Sequence, residues 1–262
     1  MGDAWARVRA AATDRTSGAA EIARAAAEGL AAIPPSRTLE ALRLLLASHP
    51  SMAPLWRLGS DVLAAPDPGA GAARFLERLD LDLAAADVLA PELPPWVVTI
   101  SRSSSVLRAL SASRRVRVVA CMESLPGGEG RDMARALREA GKEARVVADE
   151  EALRRLPGGA VVVGADAVTP GAVVNKVKTR ALAEAARARG LPCFAVAGET
   201  KFVPEPLPLE ESLEATPIDL FTGVATPWGL LPPEEAVARA RRADLHPDLL
   251  AYLAELRRDL RR

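Results

Sequence analysis

The sequence contains few of the residues that metal and thiol sites require. Its 262 residues include two cysteines and two histidines, and no CxxC pair occurs. His49 and His246 lie far apart, so a structural zinc site lacks ligands and we expect no metal. Cys121 and Cys193 each lie in an apolar, β-like run, which predicts two buried core thiols. Unpaired thiols of this kind are typical of a reducing, cytoplasmic compartment.

An excess of charge and a supply of aromatic residues are also absent. Lys and Arg number 34, as do Asp and Glu, so the formal net charge is zero, and aromatic residues make up 3% of the chain. A general nucleic-acid binder usually shows a basic excess and stacking aromatics. We therefore expect no direct nucleic-acid binding.

Long apolar runs are missing as well. None approaches the roughly 18 residues that a membrane helix needs. Residues 1–7 lack the basic-then-apolar order of a secretory signal, and Arg7 stands where a myristoylation signal would favour Ser or Thr. The sequence thus predicts no membrane association.

What the chain does contain begins with helices. Alanine- and leucine-rich patterns at helical spacing, separated by prolines, predict five helices and no strand in the first ninety residues. They cover residues 4–12, 19–33, 38–48, 52–63 and 72–90. We expect residues 1–92 to form a helical N-terminal domain.

The pattern changes after the proline-rich stretch 91–95. Short β-branched runs then alternate with helical patterns, which is typical of a parallel sheet covered on both faces. The predicted strands are 96–100, 116–121, 144–148, 160–164 and 192–197. We expect residues 96–262 to form a Rossmann-like, doubly wound α/β domain with a ligand crevice at the carboxyl ends of its strands.

Two strand-to-helix loops are rich in polar groups. Residues 99–105 bring Ser101, Arg102 and Ser103 to a helix N-terminus, which suits an anion, although simple serine capping explains them equally well. The second loop carries Glu123 and several glycines. Neither a P-loop nor a GxGxxG motif is present, and we expect no cofactor.

Two further segments carry candidate ligand groups. Asp166 leaves the most apolar predicted strand and suits general acid–base chemistry, while Asn175 and Lys176 are expected to begin the next helix and form an anion site. In the helical half, Arg15 and the Gly18 backbone could contact a phosphate where a helix starts, with capping as the alternative.

The order of these segments carries a resemblance. It rests on Asp-Arg-Thr-Ser-Gly-Ala-Ala-Glu-Ile at 14–22, Thr-x-Ser-x-Ser at 99–103, Glu-Ser-x-Pro with Glu-Gly at 123–130, Val-Gly-Ala-Asp at 163–166, Asn-Lys at 175–176, Glu-Thr-Lys-Phe at 199–202 and Phe-Thr-Gly-Val-Ala-Thr-Pro-Trp-Gly-Leu-Leu-Pro-Pro at 221–233. The chain resembles the family of the eukaryotic initiation factor 2B alpha, beta and delta subunits. That family also holds ribose-1,5-bisphosphate isomerase and methylthioribose-1-phosphate isomerase.

The resemblance implies a helical domain followed by a Rossmann-like domain that forms a homodimer. It also implies a phosphorylated small-molecule ligand and, for the isomerases, conversion of an aldose 1-phosphate into a ketose 1-phosphate by a cysteine and an aspartate. Asp166 matches that aspartate, and Asn175 with Lys176 matches the sugar-phosphate pair. The candidate substrate-binding set is completed by Arg15, Gly18, Ser103 and Glu123.

Three departures from the family pattern bear on activity. Ser101 stands at the place of the cysteine, Leu125 at that of an arginine and Lys178 at that of a glycine. A serine hydroxyl is a far weaker acid than a thiol with a pKa of about 8.5.

Three functions are compatible with this sequence. The first is a degenerate member that binds a phosphorylated sugar or nucleotide; the second is an active sugar-phosphate isomerase with Ser101 in a doubtful catalytic place. The third is a translation-initiation regulatory subunit with a protein partner, which fold likeness alone does not establish.

Overall fold

The N-terminal part is helical, as predicted. The computed structural model describes residues 2–156 and 159–259. Before the first strand it has six α-helices: α1 Gly2–Thr13, α2 Ala19–Leu30, α3 Thr38–Ser48, α4 Ala53–Leu63, α5 Pro68–Leu81 and α6 Ala84–Leu89. Helices α1 to α5 enclose a leucine- and alanine-rich core that includes Leu30, Leu42, Trp56 and Phe75, all almost completely buried.

The predicted single helix over 72–90 is wrong, because α5 and α6 are separated at Asp82 and Leu83. The Asp82 carboxylate accepts hydrogen bonds from the backbone N–H of Glu199, at 2.5 Å, and from the N–H and hydroxyl of Thr200. A long-range capping contact of this kind leaves no local trace in the sequence, and it ties the helical part to a loop 117 residues later.

The second half contains the predicted parallel sheet. The strands are β1 Trp96–Thr99, β2 Val118–Met122, β3 Glu143–Val147, β4 Ala160–Val163, β7 Cys193–Val196, β9 Gly223–Thr226 and β10 Gly229–Leu231. They run in the order β10-β9-β7-β4-β1-β2-β3, and all neighbours are parallel except the pair β9 and β10.

Helices cover both faces of this sheet, which confirms the predicted α/β fold class. They are α7 Ser104–Ala112, α8 Gly130–Glu139, α9 Asp149–Arg154, α10 Thr179–Ala188, α11 Pro233–Arg242 and, from the N-terminal part, α6. Val97 packs with α6, α7 and α8, whereas its neighbour Val98 packs with α9, α10 and α11. Alternation of buried faces along a strand is the geometry of a doubly wound sheet.

A small antiparallel sheet projects from this layer, with the order β5-β6-β8. Its strands are β5 Ala167–Val168, β6 Ala172–Lys176 and β8 Leu213–Pro217. The prediction that Asn175 and Lys176 begin a helix is therefore wrong: they end β6, paired with Glu214 and Leu213, and α10 begins three residues later at Thr179. Pairing with a strand almost forty residues away decides this conformation.

The last helix returns to the N-terminal part. Helix α12, Pro247–Asp259, places Leu249 and Leu253 in the same core as α1 to α5. The division of the chain at 92 and 96 stays a prediction. In residues 2–156 and 159–259, no helix combines the length and apolar character that crossing a membrane demands.

Gly198 should be intolerant of a side chain. A Cβ atom there would lie 2.0 Å from Cγ of Asp82, a side chain fixed by its hydrogen bonds to Glu199 and Thr200. We expect Gly198→Ala to lower the free energy of unfolding by about 1–3 kcal/mol, the usual cost of overpacking, as measured by urea denaturation.

The matched control is Gly171→Ala, because a Cβ at Gly171 meets no atom within 4 Å. Equal unfolding midpoints for the two variants would contradict the close approach of Asp82 to Gly198.

Candidate functional site

A cavity of about 320 Å³ lies where the helical part meets the carboxyl ends of β1 and β4. Its wall is built from the loop before α2, the loop before α7, the loop after β4 and the end of β6. Most sequence-predicted site residues line it. They are Arg15, Gly18, Ser101, Ser103, Asp166, Asn175 and Lys176.

Glu123 is the exception among the predicted residues. It directly follows β2, where its N–H donates to the Val147 carbonyl at 2.9 Å. Its carboxylate pairs with Arg131, and Glu123 is not part of the cavity wall. A glutamate further along the same loop, Glu129, lines the cavity instead.

Ser101 has a strained backbone conformation two residues after the carboxyl end of β1. Its φ is +64°, and its N–H donates to Oγ of Ser124 at 2.7 Å. Ser124, with φ +68°, donates its own N–H to Oδ1 of Asp149 at 2.8 Å. Left-handed backbone at a non-glycine residue persists only where surrounding contacts enforce it.

The third left-handed non-glycine residue of the described chain joins the same network. Lys178, with φ +79°, donates from Nζ to Oδ2 of Asp149 at 2.5 Å. Burial favours a raised pKa for Asp149, but the Lys178 ammonium and the N–H groups of Ser124 and Leu125 outweigh it and lower the pKa. One buried carboxylate therefore fixes the backbone beside Ser101.

Asp166 is held in place by its backbone. Its N–H donates to the Val174 carbonyl at 2.8 Å, and its carbonyl accepts from the Ala53 N–H at 3.0 Å. Burial raises the pKa of the Asp166 carboxyl, against the opposing effect of the Lys201 and Lys176 ammonium groups. A carboxyl group with a raised pKa can donate as well as accept a proton.

Asn175 and Lys176 both reach the cavity from the end of β6. Lys176 is almost fully buried and donates from Nζ to Oε1 of Glu129 at 2.6 Å. The Asn175 amide donates to Oγ1 of Thr179 at 3.0 Å. Gly164 lets Ser103 pack closely against the loop after β4, since a Cβ at Gly164 would lie 2.7 Å from Oγ of Ser103.

Lys201 is a site residue that the sequence reasoning missed. It is buried, lines the cavity and donates from Nζ to the Ala165 carbonyl. Burial lowers the pKa of its ammonium group, although Asp166 and Asp82 favour the charged form. The motif Glu-Thr-Lys-Phe at 199–202 contained the only available signal for it.

Arg15 is anchored to the loop after α3. Its Nη1 donates to the Ala12 carbonyl at 2.9 Å and contacts the His49 ring. Nε2 of His49 lies 2.9 Å from the Ala11 carbonyl, and Nδ1 lies 3.3 Å from Nη1 of Arg15. A neutral ring with its proton on Nε2 therefore donates to Ala11 and accepts from Arg15 at Nδ1. Burial, and secondarily Arg15, lowers the pKa of His49, which favours that neutral ring.

The backbone N–H of Gly18, predicted as a phosphate donor, is already engaged. It donates to Oε2 of Glu21 at 2.9 Å in a capping interaction of α2. Ala19 and Ala20, in the first turn of α2, also line the cavity, as do Ser103 and Ser104 at the start of α7. Two helix N-termini thus face one cavity, each favourable to an anion.

Charged groups of both signs line this cavity. Five are acidic and four are basic: Asp14, Glu129, Asp132, Asp166 and Glu210, and Arg15, Arg102, Lys176 and Lys201.

Neither cysteine of the chain is part of the wall. Both are free and buried, and burial raises the pKa of each thiol to about 12.

Comparison with known proteins places this geometry in context. A sequence profile of the Initiation factor 2 subunit family matches residues 86–232. Ribose 1,5-bisphosphate isomerase from Archaeoglobus fulgidus is 33% identical over 174 aligned residues, which cover 53% of this chain and 55% of that enzyme. The chain therefore spans about half the length of this curated relative.

Two solved structures share the fold over most of the chain. A translation initiation factor eIF-2B from Pyrococcus horikoshii OT3 superposes with a TM-score of 0.81 and 25% identity, covering 90% of this chain and 98% of that one. 5-Methylthioribose 1-phosphate isomerase from the same organism gives 0.64 at 20% identity, covering 90% and 87%. With a family profile matched over more than half of its length, the chain belongs to the initiation factor 2 subunit family.

Proposed function

We propose that this protein binds a phosphorylated sugar or nucleotide in the cavity between its helices and its sheet, without isomerising it. The observation that carries this proposal is the joint placement of Ser101, Asp166, Asn175 and Lys176 around one cavity. The resemblance assigns Asn175 and Lys176 to the phosphate and places the hydroxyl of Ser101 where a thiol is expected.

Affinity for phosphate is supported by groups of three kinds. The N-termini of α2 and α7 face the cavity, and their first N–H groups lack partners within the helix. The guanidinium of Arg102 lies 3.7 Å from Glu21 in the first turn of α2, so it stands beside one of these termini. Lys176 and Lys201 supply buried ammonium groups.

Loss of catalysis is supported by the placement of the thiols. Cys121 and Cys193 are buried in the sheet, outside the cavity wall, with the pKa of each raised to about 12. Ser101 offers an alcohol, which ionises far less readily than a thiol. Removal of a positioned acid or base typically costs about 10² to 10⁴ in rate.

A sugar phosphate or a nucleoside monophosphate should stabilise the folded chain. Free ligand at about 100 times its Kd is expected to raise the free energy of unfolding by about 2.7 kcal/mol, as measured by thermal shift. Lys176→Met should weaken binding about tenfold or more, because hydrogen bonds to a charged group are worth about 1.5–3 kcal/mol.

Arg114→Met is the control for this measurement, since Arg114 is exposed and is not part of the cavity wall. A panel of sugar phosphates and nucleotides that leaves the melting temperature unchanged would refute the binding proposal.

Incubation with ribose 1,5-bisphosphate or methylthioribose 1-phosphate should yield no ketose above the uncatalysed rate. The physical reason is the absence of a thiol from the described cavity wall. The measurement is quantification of ketose product by NMR. Turnover that Asp166→Asn abolishes would instead establish an active isomerase in which the raised pKa of Asp166 serves proton transfer.

A second candidate function is a subunit of a translation-factor assembly. It is favoured by the likeness to the Pyrococcus horikoshii initiation factor and to a tetrameric eIF2B-beta2-delta2 complex from C. thermophilum, which at 19% identity reflects the fold. Under this proposal the chain forms a homodimer in the cytoplasm and binds a translation factor. Affinity capture of an initiation factor and a dimer mass in light scattering would support it.

A further inference from the structure

A buried carboxylate behind the cavity joins three of the loops that form its wall. Asp149, the first residue of α9, is 1% exposed and is not a lining residue of the cavity. Its Oδ1 accepts from the N–H of Ser124 at 2.8 Å, and its Oδ2 accepts from the N–H of Leu125 at 3.0 Å and from Nζ of Lys178 at 2.5 Å. One side chain therefore holds both the loop after β2 and the turn after β6.

The loop after β1 is joined to Asp149 through Ser124. The buried Ser124 hydroxyl donates to the Met122 carbonyl at 2.9 Å, and its oxygen accepts from the N–H of Ser101 at 2.7 Å. A hydroxyl can donate and accept at the same time, so both contacts are satisfied. Ser101 leads into α7, which begins at Ser104, and this hydrogen bond therefore helps to place the N-terminus of α7 at the cavity.

Each of the three loops also carries lining residues of the cavity. They lie within four residues of the contacts just described: Ser101 and Ser103 after β1, Glu129 after β2 and Lys176 at the end of β6. Lys176 donates to Glu129 at 2.6 Å, so the second and third of these loops meet on the cavity side as well. Asp149 fixes the same two loops from behind.

The contacts of this network restrain backbone that is otherwise unfavourable. Ser101, Ser124 and Lys178 have φ values of +64°, +68° and +79°, and such residues keep this conformation only where their surroundings enforce it. Without the Asp149 carboxylate, Ser124 and Lys178 lose their direct partner and Ser101 loses its indirect one. The three loops should then relax, and the wall groups that they carry should move with them.

We propose that Asp149 is a positioning residue for the ligand: it holds the loops after β1, β2 and β6 in the arrangement that a phosphorylated ligand requires, without touching the ligand. This assignment rests on the proposed function and deepens it, because it traces part of the affinity to a side chain outside the wall. Ser124 transmits the effect to Ser101, and the ion pair with Lys178 transmits it to Lys176.

Isothermal titration calorimetry on the full chain, with ribose 5-phosphate, ribose 1,5-bisphosphate and inorganic phosphate, tests this assignment at a temperature where the variants are folded. Asp149→Asn keeps the size of the side chain but removes the charge that pairs with Lys178 and one of the two acceptor oxygens. It should weaken binding of the sugar phosphates by about tenfold or more, because it releases strained backbone beside the ligand.

Ile33→Val is the control for a general loss of stability. It removes one methyl group from the buried core of the helical part, and Ile33 is not a lining residue of the cavity. Calorimetry measures the affinity of the folded protein, so this variant should melt at a lower temperature and bind with an unchanged Kd. An equal loss of affinity in Ile33→Val and Asp149→Asn would contradict a positioning role.

Two substitutions of Lys178 separate its charge from its backbone conformation. Lys178→Met loses the ion pair and keeps a side chain that disfavours a φ of +79°, so it should weaken binding about tenfold. Lys178→Gly loses the same charge, but glycine adopts this φ without strain, so it should bind about threefold or more tightly than Lys178→Met. A purely electrostatic effect of Lys178 on the ligand predicts equal affinities instead.

The possible failures are distinguishable. If none of the three compounds binds the unmodified protein, the proposed function fails and the role of Asp149 fails with it. If Asp149→Asn binds as tightly as the unmodified protein, the positioning role is overturned while the binding function stands. Equal affinities of the two Lys178 variants would also overturn it, and this comparison is decisive should Asp149→Asn fail to fold.

Discussion

The buried carboxylate of Asp82 is the contact on which the geometry of the cavity depends. Asp82 lies in the turn between α5 and α6, and its carboxylate holds the backbone of Glu199 and Thr200. The next residue, Lys201, thereby reaches the cavity beside Asp166. Arg78 adds to this contact between the helical part and the later loop, since its guanidinium pairs with both Asp61 and Glu199, at 2.9 and 2.7 Å. The cavity is thus a product of how the helical part and the sheet meet, and neither part alone contains its wall.

Local patterns predicted most of the fold because local physics decides most of it. Apolar β-branched runs such as Ala160–Val163 are buried on both faces, because a place inside the sheet removes their side chains from water. The failures share a cause. The break at Asp82 and the strand that carries Asn175 and Lys176 both involve contacts with segments far along the chain. Strands β9 and β10 have only four and three residues, too few to show a clear pattern. Helical periodicity cannot report a hydrogen bond to a residue 117 positions away.

The residues of the candidate site also divide into those that local sequence patterns predicted and those that they did not. Residues at strand ends, such as Ser101 and Asp166, were accessible to sequence reasoning because parallel topology brings those ends together. Glu129, Lys201 and Glu210 were not, since each reaches the cavity through loop conformation. Glu123, the glutamate nearest the end of β2, pairs with Arg131 outside the cavity wall. Glu129, six residues later, lines the cavity instead. Which of two acids in a flexible, glycine-containing loop faces a cavity is settled by pairing, here with Lys176.

Three left-handed residues fix the loops beside the cavity. Ser101, Ser124 and Lys178 each adopt a backbone conformation that costs a non-glycine residue about 1–3 kcal/mol. Ser124 and Lys178 donate directly to Asp149, and Ser101 is joined to it through Ser124. A glycine would adopt this conformation at position 178 without strain, so the strain of Lys178 is a cost that its ion pair with the buried Asp149 carboxylate offsets. A chain with no use for the loop at β1 would gain stability by relaxing these positions. The strain at these positions therefore supports the proposed binding function, because it fixes the shape of the wall beside Ser101.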